Sequence, residues 1–159
     1  GCPIHTDKDT LLSDARADNG IRRLAPPPDL DAAFRKFIPP FGAAGNPVDI
    51  TGGEPPKTYQ NTIRLGLEDP RIHSLILGYW HTIVTPPMVF AKLVVEVVDE
   101  MKAKGIHKPI VVSLAGDVQV EEAAEHLFDH GIPAYPYSTE MPVMVLGAKY
   151  KWARGAGLI

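Results

Sequence analysis

From Pro56 onward the chain alternates short continuous apolar stretches with longer ones whose apolar residues recur every three or four positions. His73–Tyr79 (HSLILGY) and Pro109–Leu114 (PIVVSL) are continuous, which for strands means burial on both faces. Between them, Pro86–Lys104 carries Phe90, Val94, Val97, Val98 and Met101 as one broad helical stripe. Ahead of them, Pro56–Leu67 spaces Tyr59, Ile63 and Leu67 four apart. Val118–His130 is a further helix closed by Gly131. Ile132–Tyr135 is a last short strand, and Thr139–Ala153 a last helix in which Pro142 fits only the first turn. Strand and helix in turn predict an α/β fold, a flavodoxin-like parallel sheet with helices on both faces.

Upstream, Thr10–Asn19 reads as a helix stopped by Gly20, Ile21–Ala25 as an extended piece, and Asp29–Ile38 as a helix ended by Pro39-Pro40. Asn46–Ile50 is expected as a brief strand. In a flavodoxin-like sheet of order 2-1-3-4-5 the first strand is central, and its loss would orphan backbone groups on both neighbours. Here the chain opens on a helix, and Gly1–Thr6 is short, proline-broken and hardly apolar. The first strand is therefore expected to be missing. Residues 1–159 are read as one domain, a piece of a longer protein.

Composition bears on what such a domain meets. A net charge of −3 with no basic cluster argues against nucleic acid or an anionic membrane as partner. Apolar stretches stop well short of the ~20 residues of a membrane span, and no secretory leader is visible. A lone cysteine, Cys2, fits a reducing cytoplasm. The 16 prolines mostly punctuate element starts.

Ligands of open parallel sheets bind beyond the carboxyl ends of the strands, where loops enter helix N-termini. Three such loops are legible: Thr51-Gly52-Gly53 leading to Pro56, Trp80-His81-Thr82 leading to Pro87, and Ala115-Gly116-Asp117. All three should leave one edge and aim backbone N–H groups at one region, as suits phosphate or carboxylate. Each feature also has a plain structural reading. Gly-Gly-Glu-Pro is common loop filler, Asp117 suits a helix cap, and Asp49 suits a local backbone bond. His81 either orients a ligand or is a wetted loop residue. His126 and His130 stand four apart without a third metal ligand, so a solvated helix face is the simpler reading. No dinucleotide fingerprint, phosphate-binding P-loop, nucleophile elbow or metal set is present. Composition and spacing thus assign no catalytic residue and no metal.

The string Gly45-Asn-Pro-Val-Asp-Ile-Thr-Gly-Gly53, preceded by Phe37-Ile-Pro-Pro40, closely resembles the ADP-forming acetyl-CoA synthetase family. Thr58-Tyr59, Leu67-Glu-Asp-Pro70, Lys108-Pro-Ile-Val-Val112, Glu121-Glu-Ala-Ala124 and Gly131-Ile-Pro133 extend the likeness over about Leu11 to Trp152. The resemblance implies a succinyl-CoA synthetase-like domain of an NDP-forming acid–CoA ligase, the carboxy-terminal one. In such enzymes the energy of an acyl-CoA passes through an acyl phosphate and a phosphohistidine to a nucleoside diphosphate. It further implies CoA-binding, phosphohistidine and ATP-grasp domains as partners, and CoA, ATP/ADP and Mg as cofactors of the whole enzyme, none held by this chain alone. The catalytic histidine belongs to another domain, so His5 is not its counterpart, and the isolated chain is expected to be inactive. Gly1–Asp7 departs from the family's Gly-rich turn. Thr51, Gly52, Gly53, Trp80, His81, Thr82 and Gly116 are the implied substrate-proximal and phosphate-proximal residues. The rival expectation is a non-catalytic assembly or regulatory domain on the same sheet. Homo-oligomers are compatible with either.

Overall fold

The computed structural model describes residues 25–158. The expected helix Thr10–Asn19, most of the extended piece Ile21–Ala25, and the opening turn with Cys2 and His5 lie outside them. Helix α1 spans Pro28–Phe34, α2 Pro56–Glu68, α3 Pro87–Ala103, α4 Gln119–Asp129 and α5 Met141–Gly155. Strands β1 (Leu75–Trp80), β2 (Ile110–Ala115) and β3 (Ala134–Pro136) form one sheet in the order β1-β2-β3. Both pairings are parallel, with Leu77 opposite Val112 and Val112 opposite Ala134.

Because side chains alternate across a sheet, β2 divides its residues between two layers. Ile110, Val112 and Leu114 join the main core with Phe90, Val94, Val97 and Met101 of α3 and Ala123 and Leu127 of α4. Val111 is fully buried yet outside that cluster, on the face where α5 crosses β2 with buried Val143 and Leu146. Helices α2, α3 and α4 pack side by side, and the apolar stripes expected from their spacing are the buried ones. Leu67 and Met101 are almost wholly buried, and truncating either to Ala should cost about 2–5 kcal/mol.

The expected strand Asn46–Ile50 is corrected. It is outside the sheet and makes a single antiparallel bridge in which Asp49 exchanges both backbone hydrogen bonds with Ala43, at 2.7 and 3.0 Å. The physical reason is local. Gly42–Gly45 folds the chain back on itself, so Asp49 finds its partner six residues away, and Pro47 has no N–H to offer a ladder. Among the described residues β1 is paired on one edge only, by β2. The helix expected over Asp29–Ile38 ends at Phe34 and continues as turns, because Pro39-Pro40 denies the next residues a helical partner. Leu30, Phe34, Ile38 and Ala44 form a second small core against Val48, Leu65 and Ile72. Arg71 closes this corner, bridging Asp69 at 2.6 Å and Asp29 at 2.8 Å. Helix α5 starts two residues later than expected and runs on to Gly155, with Gly157 at φ +68 in the turn that follows. No helix among the described residues is long and apolar enough to cross a membrane.

Candidate functional site

In parallel strands every carboxyl end points the same way, so the loops after β1, β2 and β3 leave one rim. Tyr79, the penultimate residue of β1, fixes the first of them from below. Its ring stacks on Phe90 at 4.3 Å and meets Tyr59 at 6.5 Å. Its hydroxyl donates to the Thr85 carbonyl at 2.7 Å. Burial pushes that phenol up to about 12, so it remains a donor through the physiological range. The loop 81–86 closes over it as a staple: Thr85 N–H donates to Thr82 Oγ1 at 3.1 Å, and Thr82 Oγ1 donates to the Thr85 carbonyl at 3.2 Å.

Thr85 is fully buried and carries the first link between loops. Its Oγ1 donates to the Glu54 carbonyl at 2.8 Å, tying loop 81–86 to loop 51–55. On the far side of that link the Glu54 carboxylate accepts from Thr58 Oγ1 at 2.9 Å, at the start of α2. Thr51 is held with φ 62, its N–H donating to Asp49 Oδ1 at 2.8 Å, so Asp49 makes a local backbone bond. A Cβ placed on Gly52 would lie 3.5 Å from the Thr82 methyl, which sets Gly52 beside Thr82 across the rim. Gly53 is open.

A second link joins the loops after β1 and β2. His81 Nδ1 lies 3.1 Å from Asp117 Oδ1, and the His81 backbone N–H donates to the Ala115 carbonyl at 2.7 Å. The same Asp117 oxygen accepts from the Gln119 N–H at 3.1 Å at the start of α4. Gly116 permits this approach, because a Cβ there would sit 2.5 Å from His81 Cβ. A third link comes from beyond β3. Tyr137, at φ 63, reaches back so that its hydroxyl lies 3.2 Å from the Asp117 carbonyl and 3.1 Å from Glu121 Oε1.

Of the seven residues singled out from the sequence, Trp80 ends β1, and Thr51, Gly52, Gly53, His81, Thr82 and Gly116 stand on loops that are bonded to one another. Four residues were not singled out as site residues: Tyr79, Thr85, Asp117 and Tyr137. Asp117 was legible, but as a helix cap, and Thr85 stood only as a second threonine in the loop after Trp80. Tyr79 looked like any buried strand residue. The loops were expected to aim backbone N–H groups at one region, and two of the helix starts have few to offer. Pro55 and Pro56 open α2, and Pro86 and Pro87 open α3, so two donors are absent at each start. Exposed Trp80, Ile83, Val84, Val118 and Tyr137 give the rim an apolar character instead, with Ile83 96% accessible. His126 and His130 lie elsewhere. His130 Nδ1 is 2.7 Å from the His126 carbonyl, and no three potential metal ligands cluster among the described residues. At the opposite end of the sheet a shallow hollow of about 280 Å³ is lined by Leu67, Met101, Ile110, Ile132, Lys102 and Lys149. Lys102 there pairs with Asp99 at 3.1 Å and suits the negative end of α3, which accounts for the cation.

Residues 5–159 match the model of the Ligase-CoA domain. Acetate–CoA ligase (ADP-forming) I subunit alpha of Pyrococcus furiosus is 39% identical over 121 residues, covering 76% of this chain and 25% of that protein. The 4-hydroxybutyrate–CoA ligase (ADP-forming) of Nitrosopumilus maritimus is 31% identical over 120 residues, covering 74% of this chain and 16% of that one. Among solved structures, the dinucleotide-forming acetyl-coenzyme A synthetase 1 of Ca. Korarchaeum cryptofilum, in complex with phosphate and ADP, superposes with TM-score 0.81. The two are 35% identical, over 94% of this chain and 31% of that one. This chain spans a quarter or less of the curated relatives and about a third of the solved one. With its parallel sheet and linked exit loops, the chain belongs to the Ligase-CoA domain family of NDP-forming acyl-CoA synthetases.

Proposed function

We propose that this chain is one flavodoxin-like, carboxy-terminal module of an acid–CoA ligase (NDP-forming), and that its rim forms one wall of an active site shared with other domains. The observation that carries this reading is the rim itself. Four loops are bonded into one surface, yet that surface exposes Trp80, Ile83, Val84, Val118 and Tyr137. Apolar side chains gathered at the ligand edge of a parallel sheet suit burial by a neighbouring domain. The relatives' much greater length leaves room for CoA-binding, phosphohistidine and ATP-grasp domains.

In this reading Thr51, Gly52, Gly53 and Gly116 let backbone approach a phosphate, while Trp80, His81 and Thr82 line the acyl group. These seven residues are small, polar or aromatic and none is a lysine or arginine to hold phosphates, which fits an acyl phosphate bridging two domains better than a multiply charged nucleotide held by this chain. CoA, ATP/ADP and Mg belong to the complete enzyme, and the phosphorylated histidine is supplied from another domain. The chain by itself does not complete the reaction. The test is complementation. The chain is mixed with the CoA-binding, phosphohistidine and ATP-grasp modules, and acid-dependent, ATP-dependent CoA thioester formation is followed. Recovery of activity only when the chain is present supports the reading. Calorimetry showing no binding of CoA, acyl phosphate or ADP by the mixture, together with no thioester, favours an assembly or regulatory domain instead.

A further inference from the structure

We infer that Asp117 holds the neutral His81 ring as the Nδ1–H tautomer, so that Nε2 is the rim's proton acceptor, suited to a thiol and not to a bare phosphate. This rests on the ligase reading for the identity of the thiol, that of CoA, and on geometry alone for the tautomer. A carboxylate can only accept hydrogen bonds, so the 3.1 Å contact from Asp117 Oδ1 requires the proton on Nδ1. The neutral imidazole then keeps a lone pair on Nε2, for which no partner is found among the described residues. The His81 side chain is about a quarter exposed.

The surrounding residues fix this couple from three sides. Asp117 is itself oriented, since its Oδ1 also accepts the Gln119 N–H and its carbonyl lies beside the Tyr137 hydroxyl. The His81 main chain is tied to Ala115, and Gly116 presses against its Cβ. The Tyr137 hydroxyl that meets the Asp117 carbonyl also meets the Glu121 carboxylate, which adds a second negative group beside Asp117. No lysine or arginine bonds to either ring nitrogen or to Asp117 among the described residues. Two carboxylates without a cation disfavour a second anion at Nε2 and favour a group that brings a proton. In the transfer the thiol S–H bond breaks and an Nε2–H bond forms. The sulfur keeps the electron pair, and the imidazolium is balanced by Asp117. The thiolate then attacks the acyl carbon of an acyl phosphate as the carbon–oxygen bond to phosphate breaks. Asp117 is a positioning residue in this scheme, acting through His81.

Two measurements test it. Long-range 1H–15N NMR of the chain at pH 8 should show His81 as Nδ1–H, by about tenfold over Nε2–H, the bias expected of a charged hydrogen bond. Asp117→Ala, which removes the acceptor, should erase that bias. A dominant Nε2–H tautomer, or a bias unchanged in Asp117→Ala, overturns the couple. In the complemented ligase, His81→Gln should slow CoA thioester formation by about 10²–10⁴-fold and phosphoryl exchange between ATP and ADP far less, since only the first involves a thiol. Equal losses in both overturn the thiol assignment. Absence of thioester formation by the wild-type mixture sinks the ligase reading and the thiol with it, while the NMR result still decides the Asp117–His81 couple.

Discussion

Replacing Gly116 by Ala tests whether the rim is held together by contact between its loops. The glycine is not at a positive φ, so the new side chain introduces no backbone strain. A Gly→Ala change of that kind ordinarily stabilises by about 0.4–1 kcal/mol through the unfolded chain. Here the added carbon would stand 2.5 Å from His81 Cβ and 2.9 Å from Val120 Cγ1. Neither obstacle is the loose end of a long side chain. His81 Cβ sits next to a backbone hydrogen-bonded to Ala115, and Val120 is fully buried in the main core. Relief requires the two loops to part, and overpacking of this kind costs about 1–3 kcal/mol. The net expectation is a destabilisation of about 1–2 kcal/mol, or a fall in Tm of roughly 2–8 °C for a chain this size. Gly53→Ala is the matched control. It has nothing within 4 Å and no positive φ, and should be neutral or slightly stabilising. Thermal and urea unfolding of the two variants beside the wild type decide the matter. Equal stability of Gly116→Ala and Gly53→Ala would refute the claim that His81 is wedged against the β2 exit loop.

Three further outcomes are expected. Thr85→Val keeps the buried shape but leaves the Glu54 carbonyl without its donor. It should cost about 1–3 kcal/mol and speed amide exchange in residues 51–55 and 81–86, whereas unchanged exchange would mean the link is dispensable. Tyr79→Phe removes the donor to the Thr85 carbonyl and should cost about 1 kcal/mol, with the phenol absorbance that titrates near 12 disappearing from a spectrophotometric titration. The Asp69 carboxyl is lowered from 3.8 to about 2, chiefly by its hydrogen bonds to Arg71. A folded pKa below the unfolded one means stability present above about pH 4 and lost as pH falls toward 2. Arg71→Gln should flatten that part of the stability profile, and an unaltered acid limb would rule the pair out as its source.

The fold was legible because its determinants are local. Continuous apolar runs at His73–Tyr79 and Pro109–Leu114, separated by stripes of helical period, leave a parallel sheet as the solution that buries both strand faces. The structure places β1, β2, α2, α3 and α4 within a few residues of those expectations. Asn46–Ile50 was misread because its apolar residues fit a strand equally well. Only the three-dimensional path showed Asp49 bonded back to Ala43, away from the sheet. The rim divides in the same way. Strand direction, read from the sequence, was enough to gather Trp80, His81, Thr82 and Gly116 at one end, whereas Thr51, Gly52 and Gly53 follow no strand of the sheet and are tied in through the Thr85–Glu54 bond. The bonds that make a surface of them join residues far apart in the chain: Thr85 to Glu54, His81 to Asp117, Tyr137 back to Asp117. No periodicity encodes such pairs. They exist because the sheet sets its exit loops side by side, within reach of one hydroxyl or one carboxylate.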